Sequence, residues 1–419
     1  MNNPKLKIQK YPSYKDSGID WLGEMPEHWN VKRLKDLSFL QSGNNIVSEQ
    51  IEPTGDYPVY GGNGLRGYFS KYTNEGEFIL IGRQGALCGN INYASGKFWA
   101  SEHAVVVYLK RTVKMKWFGE MLRVMNLNQY SVSAAQPGLA VDRIKRLLLP
   151  LPPLPEQAAI ADYLDKQTSH IDRKIELLSK KAESYKSLKQ SLINETVTRG
   201  LNKSVAMKDS GIDWLGEVAE HWEVKRIKDF TLIKRGASPR PIDDPKYFDD
   251  NGEYSWVRIA DLSASERYLL NTKEKLSKLG ASLSVKRYPG DFILSIAGTV
   301  GKPIITKIKC CIHDGFVWFP NIKINPEFLY YCFSTGLPYQ GLGKLGTQLN
   351  LNTETVGLIS LAIPPKKEID EIVFYLDKKT AQIDKIIETI HLQMEKLKEL
   401  RKTLINDVVT GKVRVAGNG

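Results

Sequence analysis

Four cysteines are all that the 419 residues carry, Cys88, Cys310, Cys311 and Cys332, and none stands in a CxxC or zinc-ligand spacing. A disulfide framework and a structural zinc site are thereby excluded, and the thiols are read as reduced and mostly buried. No apolar run approaches the ~20 residues that span a bilayer, and the first residues, Met1 to Asp16, hold no apolar stretch of the kind that directs secretion. A cytoplasmic protein with no membrane partner is expected. Nucleotide and methyl-transfer signatures are missing too: there is no GxxxxGK[ST] loop, no Asn-Pro-Pro-Tyr or Asp-Pro-Pro-Tyr box, and no carboxylate-lysine cluster. His103 beside Glu102 and His313 beside Asp314 invite a catalytic reading, but no nucleophile or metal set accompanies them. No catalytic, cofactor-binding or metal residue is assigned. Acidic residues are the scarcer charge, 47 against 59 Lys and Arg, which leaves a formal net charge of +12 and a pI near 9.2. That excess favours a polyanionic partner, nucleic acid first.

What is there is a sentence said twice. Lys15 to Asp36 and Lys208 to Asp229 agree at 18 of 22 positions, at an offset of 193. A second matched set follows at an offset of 212, with Tyr163-Leu-Asp-Lys, Ile171-Asp and Leu192-Ile-Asn returning as Tyr375-Leu-Asp-Lys, Ile383-Asp and Leu404-Ile-Asn. The chain is a tandem of two modules, the second about 19 residues longer between its matched ends. The middles, roughly 37–150 and 230–362, share little that can be aligned. Like flanks and unlike middles describe a common scaffold with two different working surfaces, and a period near 200 excludes a solenoid.

The matched C-terminal parts read as long helices. After Pro150-Leu-Pro-Pro-Leu-Pro155 no Pro or Gly occurs until Gly200; Pro155 suits the first helical position and Glu156 the positive end of the helix dipole. Ile171, Leu178, Tyr185 and Leu192 recur every seven residues, with Ile175, Ala182 and Leu188 between them, and Ile383, Ile390, Leu397 and Leu404 repeat the seam, with Ile387, Met394 and Leu400 between. A helix of ~43 residues is roughly 65 Å long. Packing of each helix on its own module is possible, but four heptads favour pairing of the two helices within the chain.

The middles read as mixed α/β domains. In the first, Tyr57-Pro-Val-Tyr60, Glu77-Phe-Ile-Leu-Ile81 and Ala104-Val-Val-Val-Tyr108 are strand signals separated by the glycine loops Gly61-Gly-Asn-Gly-Leu-Arg-Gly67 and Gly82-Arg-Gln-Gly85. Asn63, Arg66, Arg83 and Gln84 are side chains suited to base edges, Arg for guanine and Asn or Gln for adenine, and the bland alternative is that they are surface turn residues. The second middle offers Lys234, Arg235, Ser238 and Arg240 in a basic, proline-stiffened segment, then Arg258, Thr299, Lys302 and Gln348, as candidate DNA contacts. Gly298 to Lys302 suggests a phosphate loop, but Pro303 stands where Ser or Thr would hold magnesium.

With these pieces, the chain resembles the specificity subunit of type I restriction-modification systems. The resemblance covers essentially the whole length and rests on the duplicated SGIDWLGE..EHW.VKR.KD, the LPPLPEQAAIADYLD ahead of the first helix, and YGGNGLRGYF and IGRQGALCG in the first middle. The second helix departs from it, reading IPPKKEIDEIVFYLD. The resemblance implies an α+β, pseudo-twofold tandem: target-recognition domains at 1–151 and 201–363, a central spacer helix at 152–200, and a C-terminal spacer helix and tail at 364–419, the helices antiparallel. It implies a non-catalytic chain that binds double-stranded DNA at a bipartite asymmetric target. It also implies docking of two modification (methyltransferase) subunits and of restriction (motor-nuclease) subunits, with S-adenosylmethionine, ATP and Mg belonging to those partners and no cofactor here. The alternatives are a self-contained DNA-processing nuclease, which would show magnesium-dependent cleavage by the isolated chain, and a coiled-coil scaffold that binds protein only.

Overall fold

A computed structural model describes residues 9–85, 87–131, 138–340, 342 and 351–415. The chain forms two compact units, one of residues 1–179 with 392–419 and the other of residues 180–391. Each unit contains one divergent middle, part of the first long helix (Leu154–Arg199) and part of the second (Lys366–Val409). The first helix begins at Leu154, one residue before the expected proline. Among the described residues no helix is long and apolar enough to cross a membrane, and all four cysteines are free and buried.

The two middles, unalike in sequence, share one strand plan. In the first unit a four-stranded sheet has the order Ser38–Ser42, Ala104–Leu109, Phe78–Gly82, Ile91–Ala94; in the second the order is Lys234–Arg235, Phe316–Trp318, Phe292–Ser295, Pro303–Thr306, with Tyr268–Leu269 added at the edge. A second sheet in each is built around a parallel pair, Tyr57–Gly61 with Lys97–Ala100 and Tyr254–Val257 with Cys310–Ile312, flanked by antiparallel neighbours. The central strands are continuous apolar runs because both their faces are covered. Alternation then deals the side chains out: Ile79 and Ile81 enter the core that holds Trp117, Phe118 and Met121, while Leu80 enters a smaller one with Phe98 and Val106. Phe292 and Leu294 part from Ile293 in the same way.

The duplicated segment fastens each sheet domain to the helices. Asn30–Arg33 pairs antiparallel with Leu148–Leu151 just ahead of the first long helix, and Glu223–Arg226 pairs with Ser360–Ile363 just ahead of the second. Beside each strand a fully buried tryptophan donates its indole N–H to a carboxylate in the first helical turn: Trp29 Nε1 to Glu156 Oε2 at 2.9 Å, Trp222 Nε1 to Glu368 Oε2 at 3.0 Å. The neighbouring histidine meets the same carboxylate, His28 at 2.5 Å and His221 at 2.8 Å. These histidines therefore pack and position, and the second helix keeps its glutamate although it lacks the Leu-Pro-Glu-Gln of the first. The end of the other long helix closes on the same tryptophan through a glycine in the left-handed region. Gly411, at φ +79°, has room for no Cβ against Pro26 and the Trp29 ring, and Gly200, at φ +76°, lies against Trp222 and Glu368. Each tryptophan thus joins the start of one helix to the end of the other.

Within each unit the helices lie antiparallel. Asp172 pairs with Arg401 at 3.0 Å in the first unit and Lys189 with Asp384 at 2.6 Å in the second, so 17 residues forward on one helix correspond to 17 back on the other. Ile383 and Ile390 are buried, and Ile171, Leu178, Tyr185, Leu192, Leu397 and Leu404 are half-buried. Leu188 and Leu400, placed between seam positions by the period, are instead 52% and 54% exposed and lie outside the apolar stripe. The Tyr-Leu-Asp-Lys repeat has a second use: Asp165 takes Lys116 at 3.0 Å, and Asp377 takes Arg267 and the Tyr331 hydroxyl at 2.5 and 2.6 Å, tying each sheet domain to its helix.

Glu156→Ala, or Glu368→Ala, leaves a buried indole N–H without an acceptor, which costs about 1–3 kcal/mol. Denaturant unfolding should register that loss, and an unchanged midpoint for both variants would show that the carboxylates contribute nothing.

Candidate functional site

The glycine loops of the first unit abut backbone to backbone. A Cβ on Gly82 would lie 2.1 Å from the Gly62 carbonyl oxygen, and one on Gly62 would lie 3.0 Å from that of Gln84 and 3.3 Å from that of His103. Only glycine admits such an approach. The turn that carries Asn63 is tied to the neighbouring loop by Asn90, whose amide donates to Asn63 Oδ1 at 3.1 Å. Arg83 is held at both backbone ends, its N–H donating to the His103 carbonyl at 2.8 Å and its own carbonyl accepting from Leu139 at 2.9 Å. Gln84 forms a bridge with Gly138 and is exposed, and Arg66 lies across Gly61 with its tip near Ser48. Asn63, Arg66, Arg83 and Gln84 thus stand on, or directly flank, loops whose backbones are fixed.

The second unit gathers its basic segment round one carboxylate. Asp314 Oδ1 accepts from the Ser238 hydroxyl at 3.0 Å, Arg240 reaches its other oxygen at 3.3 Å, and Arg235 approaches at 4.0 Å. Partial burial alone would raise the Asp314 carboxyl, but the Ser238 hydrogen bond and the Arg240 charge hold it below the usual range. Arg235 and Arg240 stay 59% and 71% exposed, so the acid orients them without removing them from solvent. Lys234 is exposed on the same short strand. Burial chiefly holds the pKa of His313, packed on Trp256 and Phe316, below the ordinary histidine value, with the positive charges of Arg258 and Arg235 adding to that effect against the pull of Asp314. The histidine is a packing residue, and the adjoining acid tethers the loop.

The first unit has the equivalent acid. Gly43 N–H donates to the Ala104 carbonyl as Gly236 does to that of Phe316, so Glu102 and Asp314, each two residues earlier, correspond. Glu102 accepts from the Ile46 N–H at 3.3 Å and pairs with His103 at 3.1 Å. Sequence reasoning treated both acids as neighbours of histidine; the hydrogen bonds make them anchors for the segment after the first sheet strand.

Three other candidates sit differently. Lys302 donates to the carbonyls of Ser263 and Ser265, at 3.1 and 2.6 Å, closing the end of the short helix Ile259–Ala264; burial holds its pKa below the ordinary lysine range. Thr299 shares a 2.7 Å hydrogen bond with Ser263. The lysine is thus engaged with its own backbone rather than presented to phosphate. Arg258 pairs with Glu274 at 2.7 Å. Gln348 lies outside the described residues. Lys116, Asp165 and Asp377, which hold the domains to the helices, were not singled out from the sequence; the repeated Tyr-Leu-Asp-Lys was the signal for two of them.

A methyl group at Gly82 must separate the two loops by more than 1 Å to reach ordinary contact. Gly82→Ala should therefore speed amide hydrogen exchange in residues 61–66 and 82–90 while the second unit keeps its rates, and uniform protection throughout would refute the tight approach.

The family model described as Type I restriction modification DNA specificity domain matches residues 26–183 and 219–396. The chain is 40% identical over 165 residues to the Type I restriction enzyme EcoprrI specificity subunit of Escherichia coli, a match covering 38% of this chain and 41% of that one. It is 26% identical over 367 residues to the putative type I restriction enzyme specificity subunit S.HindORF215P of Haemophilus influenzae, covering 85% and 89% of the two chains. Among solved structures, a chain from work on complex assembly and conformational transition of the type I R-M system superposes with a TM-score of 0.72 at 17% identity, over 92% of this chain and 98% of that one. The HsdS subunit from Thermoanaerobacter tengcongensis gives 0.53 at 17% identity, over 93% and 98%. At such identities the structures speak for the fold alone.

Proposed function

Because the chain belongs to the type I restriction modification DNA specificity domain family, as a non-catalytic DNA-recognition subunit, we propose that it reads a bipartite, asymmetric target with one half-site per sheet domain. The observation that carries this reading is one strand plan bearing two different sets of side chains in loops gathered about the corresponding acids Glu102 and Asp314. Asn63, Arg83 and Gln84 stand in one unit; Lys234, Arg235, Ser238 and Arg240 stand in the other. A shared plan presents each set to a duplex in a like manner, and unlike side chains select unlike bases. The net charge of +12 supplies the phosphate attraction that holds the chain on any DNA.

Asp314 has a defined part in this scheme. Free in solution, Arg240 is held near its binding pose by a partly solvated ion pair, which is weak enough to exchange. On DNA it gives up the carboxylate for a base edge, having lost little conformational freedom in doing so. We propose further that the chain works in the cytoplasm, bringing two modification subunits and the motor-nuclease subunits to the site, with their S-adenosylmethionine, ATP and Mg bound by those partners.

The test is a competition binding measurement on duplexes with either half-site scrambled. Arg83→Ala and Arg240→Ala should each cost about 1–3 kcal/mol against the intact target and abolish discrimination at one half-site only. A uniform loss across all duplexes would make the arginine a phosphate contact, and loss at both half-sites from one variant would end the one-domain, one-half-site reading.

A further inference from the structure

The tryptophan joint holds the second sheet domain at two points, the start of one long helix at Glu368 and the end of the other at Gly200. Two points leave one rotation, a tilt about the line between them. Apolar packing continues along the second long helix to Ile372 and Leu376, but it is non-directional and resists a small tilt weakly. Past Leu376 the domain and the helices part around a cleft of about 1040 Å³, with Lys189, Tyr268, Lys302, Tyr330 and Asp384 on its walls. Asp377 stands at that edge, nine residues beyond Glu368 and so roughly 13 Å along the helix.

The two units secure this edge with different residues. In the first, Lys116, second residue of the helix Met115–Val124, reaches Asp165 at 3.0 Å, and the aspartate stays 58% exposed. The matching helix of the second unit, Pro326–Ser334, carries Glu327 at its second position, so an acid there faces the acid Asp377. Two carboxylates at one joint repel unless a cation stands between them. Arg267 is that cation, placed at the head of Tyr268–Leu269, an edge strand with no counterpart in the first unit's sheet among the described residues. Its guanidinium pairs with Glu327 and with Asp377, donates to the Tyr331 hydroxyl at 3.2 Å, and lies 4.8 to 5.2 Å from the ring centres of Tyr268, Tyr330 and Tyr331. Its side chain is only 15% exposed. A planar guanidinium enclosed in this way has one orientation, whereas an ammonium on a flexible stem keeps several.

We propose that Arg267 is a positioning residue for target recognition: it fixes the tilt of the second sheet domain on its helix, and through that tilt it makes the protein selective for the number of base pairs between the two half-sites. The inference rests on the bipartite reading proposed above. One base pair added to a spacer moves a half-site by about 3.4 Å and turns it by about 34° round the duplex. A domain free to tilt follows part of that displacement and binds the wrong spacing nearly as well as the right one. A domain held at a third point does not follow, so a wrong spacing costs affinity. Arg267 needs no contact with DNA to act in this way.

The experiment measures binding of the full chain, assembled with its modification subunits, to three kinds of duplex: both half-sites at the preferred spacing, both with the spacer one base pair longer or shorter, and the second half-site alone. Arg267→Met should bind the second half-site alone as the unaltered protein does. On the two-site duplex it should lose about tenfold at the preferred spacing, the cost of ordering a loosened domain, and its preference over the altered spacers should shrink by the same factor. Asp377→Asn, which removes the charge from the helix side at nearly constant shape, should act in the same direction, and circular dichroism checks the folding of each variant. R267M/E327K places a lysine opposite Asp377 as Lys116 stands opposite Asp165, and should recover most of the spacing preference. Folded Arg267→Met and Asp377→Asn variants with the preference intact overturn the inference. An equal loss on the second half-site alone, or no recovery in R267M/E327K, also overturns it, because Arg267 then supports the domain itself rather than its tilt. If the unaltered protein shows no spacing preference, the bipartite reading fails and this inference with it; failure confined to the variants leaves that reading standing.

Discussion

A buried indole N–H directed at a carboxylate in the first turn of a long helix is the contact on which the rest of the architecture depends. It occurs twice, Trp29 on Glu156 and Trp222 on Glu368. The carboxylate is favoured there by the helix dipole before any partner arrives, and the buried indole has no other acceptor among the described residues. The contact is therefore directional as well as favourable. It fixes where a helix of more than 40 residues leaves its sheet domain, and the glycine that ends the other helix packs against the same ring. A sheet domain attached at both points cannot swivel on its helices, which a surface that reads DNA by side-chain geometry requires.

The scaffold was legible because repetition and periodicity are properties of sequence. The offset of 212 locates Glu368 from Glu156 even though the residues round it differ. The seven-residue period located the apolar stripe but overextended it to Leu188 and Leu400, since a strict period cannot tell which positions at its margin still face a neighbour. The common strand plan of the middles was not legible at all. A strand buried on both faces is specified by little more than three or four apolar residues in succession, so Phe-Ile-Leu-Ile-Gly and Phe-Ile-Leu-Ser serve equally, and insertions between strands erase any alignment.

The candidate site divides along the same line. Glycine loops announce close backbone approach, and Gly62 and Gly82 deliver it, carrying Asn63 and Arg83 with them. Lysine and arginine announce only charge, and whether that charge faces outward depends on partners distant in sequence. Arg240 meets Asp314, 74 residues on, and remains exposed; Lys302 meets backbone carbonyls 37 and 39 residues back and is consumed by them. The histidine–acid pairs misdirect for a related reason, because adjacency in sequence says nothing about which of two neighbours holds the loop.

The make-up of the units sets an order of events during synthesis. Residues 180–391 are contiguous, so the second unit has all of its chain as soon as His391 is free of the ribosome. The first unit, though its sheets are made earliest, waits for Ile405, Val408 and Val409 from the last helix to complete its core. Until they arrive, the apolar pocket that receives them is open to solvent, and closing it joins segments more than 200 residues apart. Such closure is slow, its entropic cost being met before any contact rewards it. The half translated first is thus the half finished last, and for that interval it is the part of the nascent chain most exposed to aggregation and most in need of a chaperone.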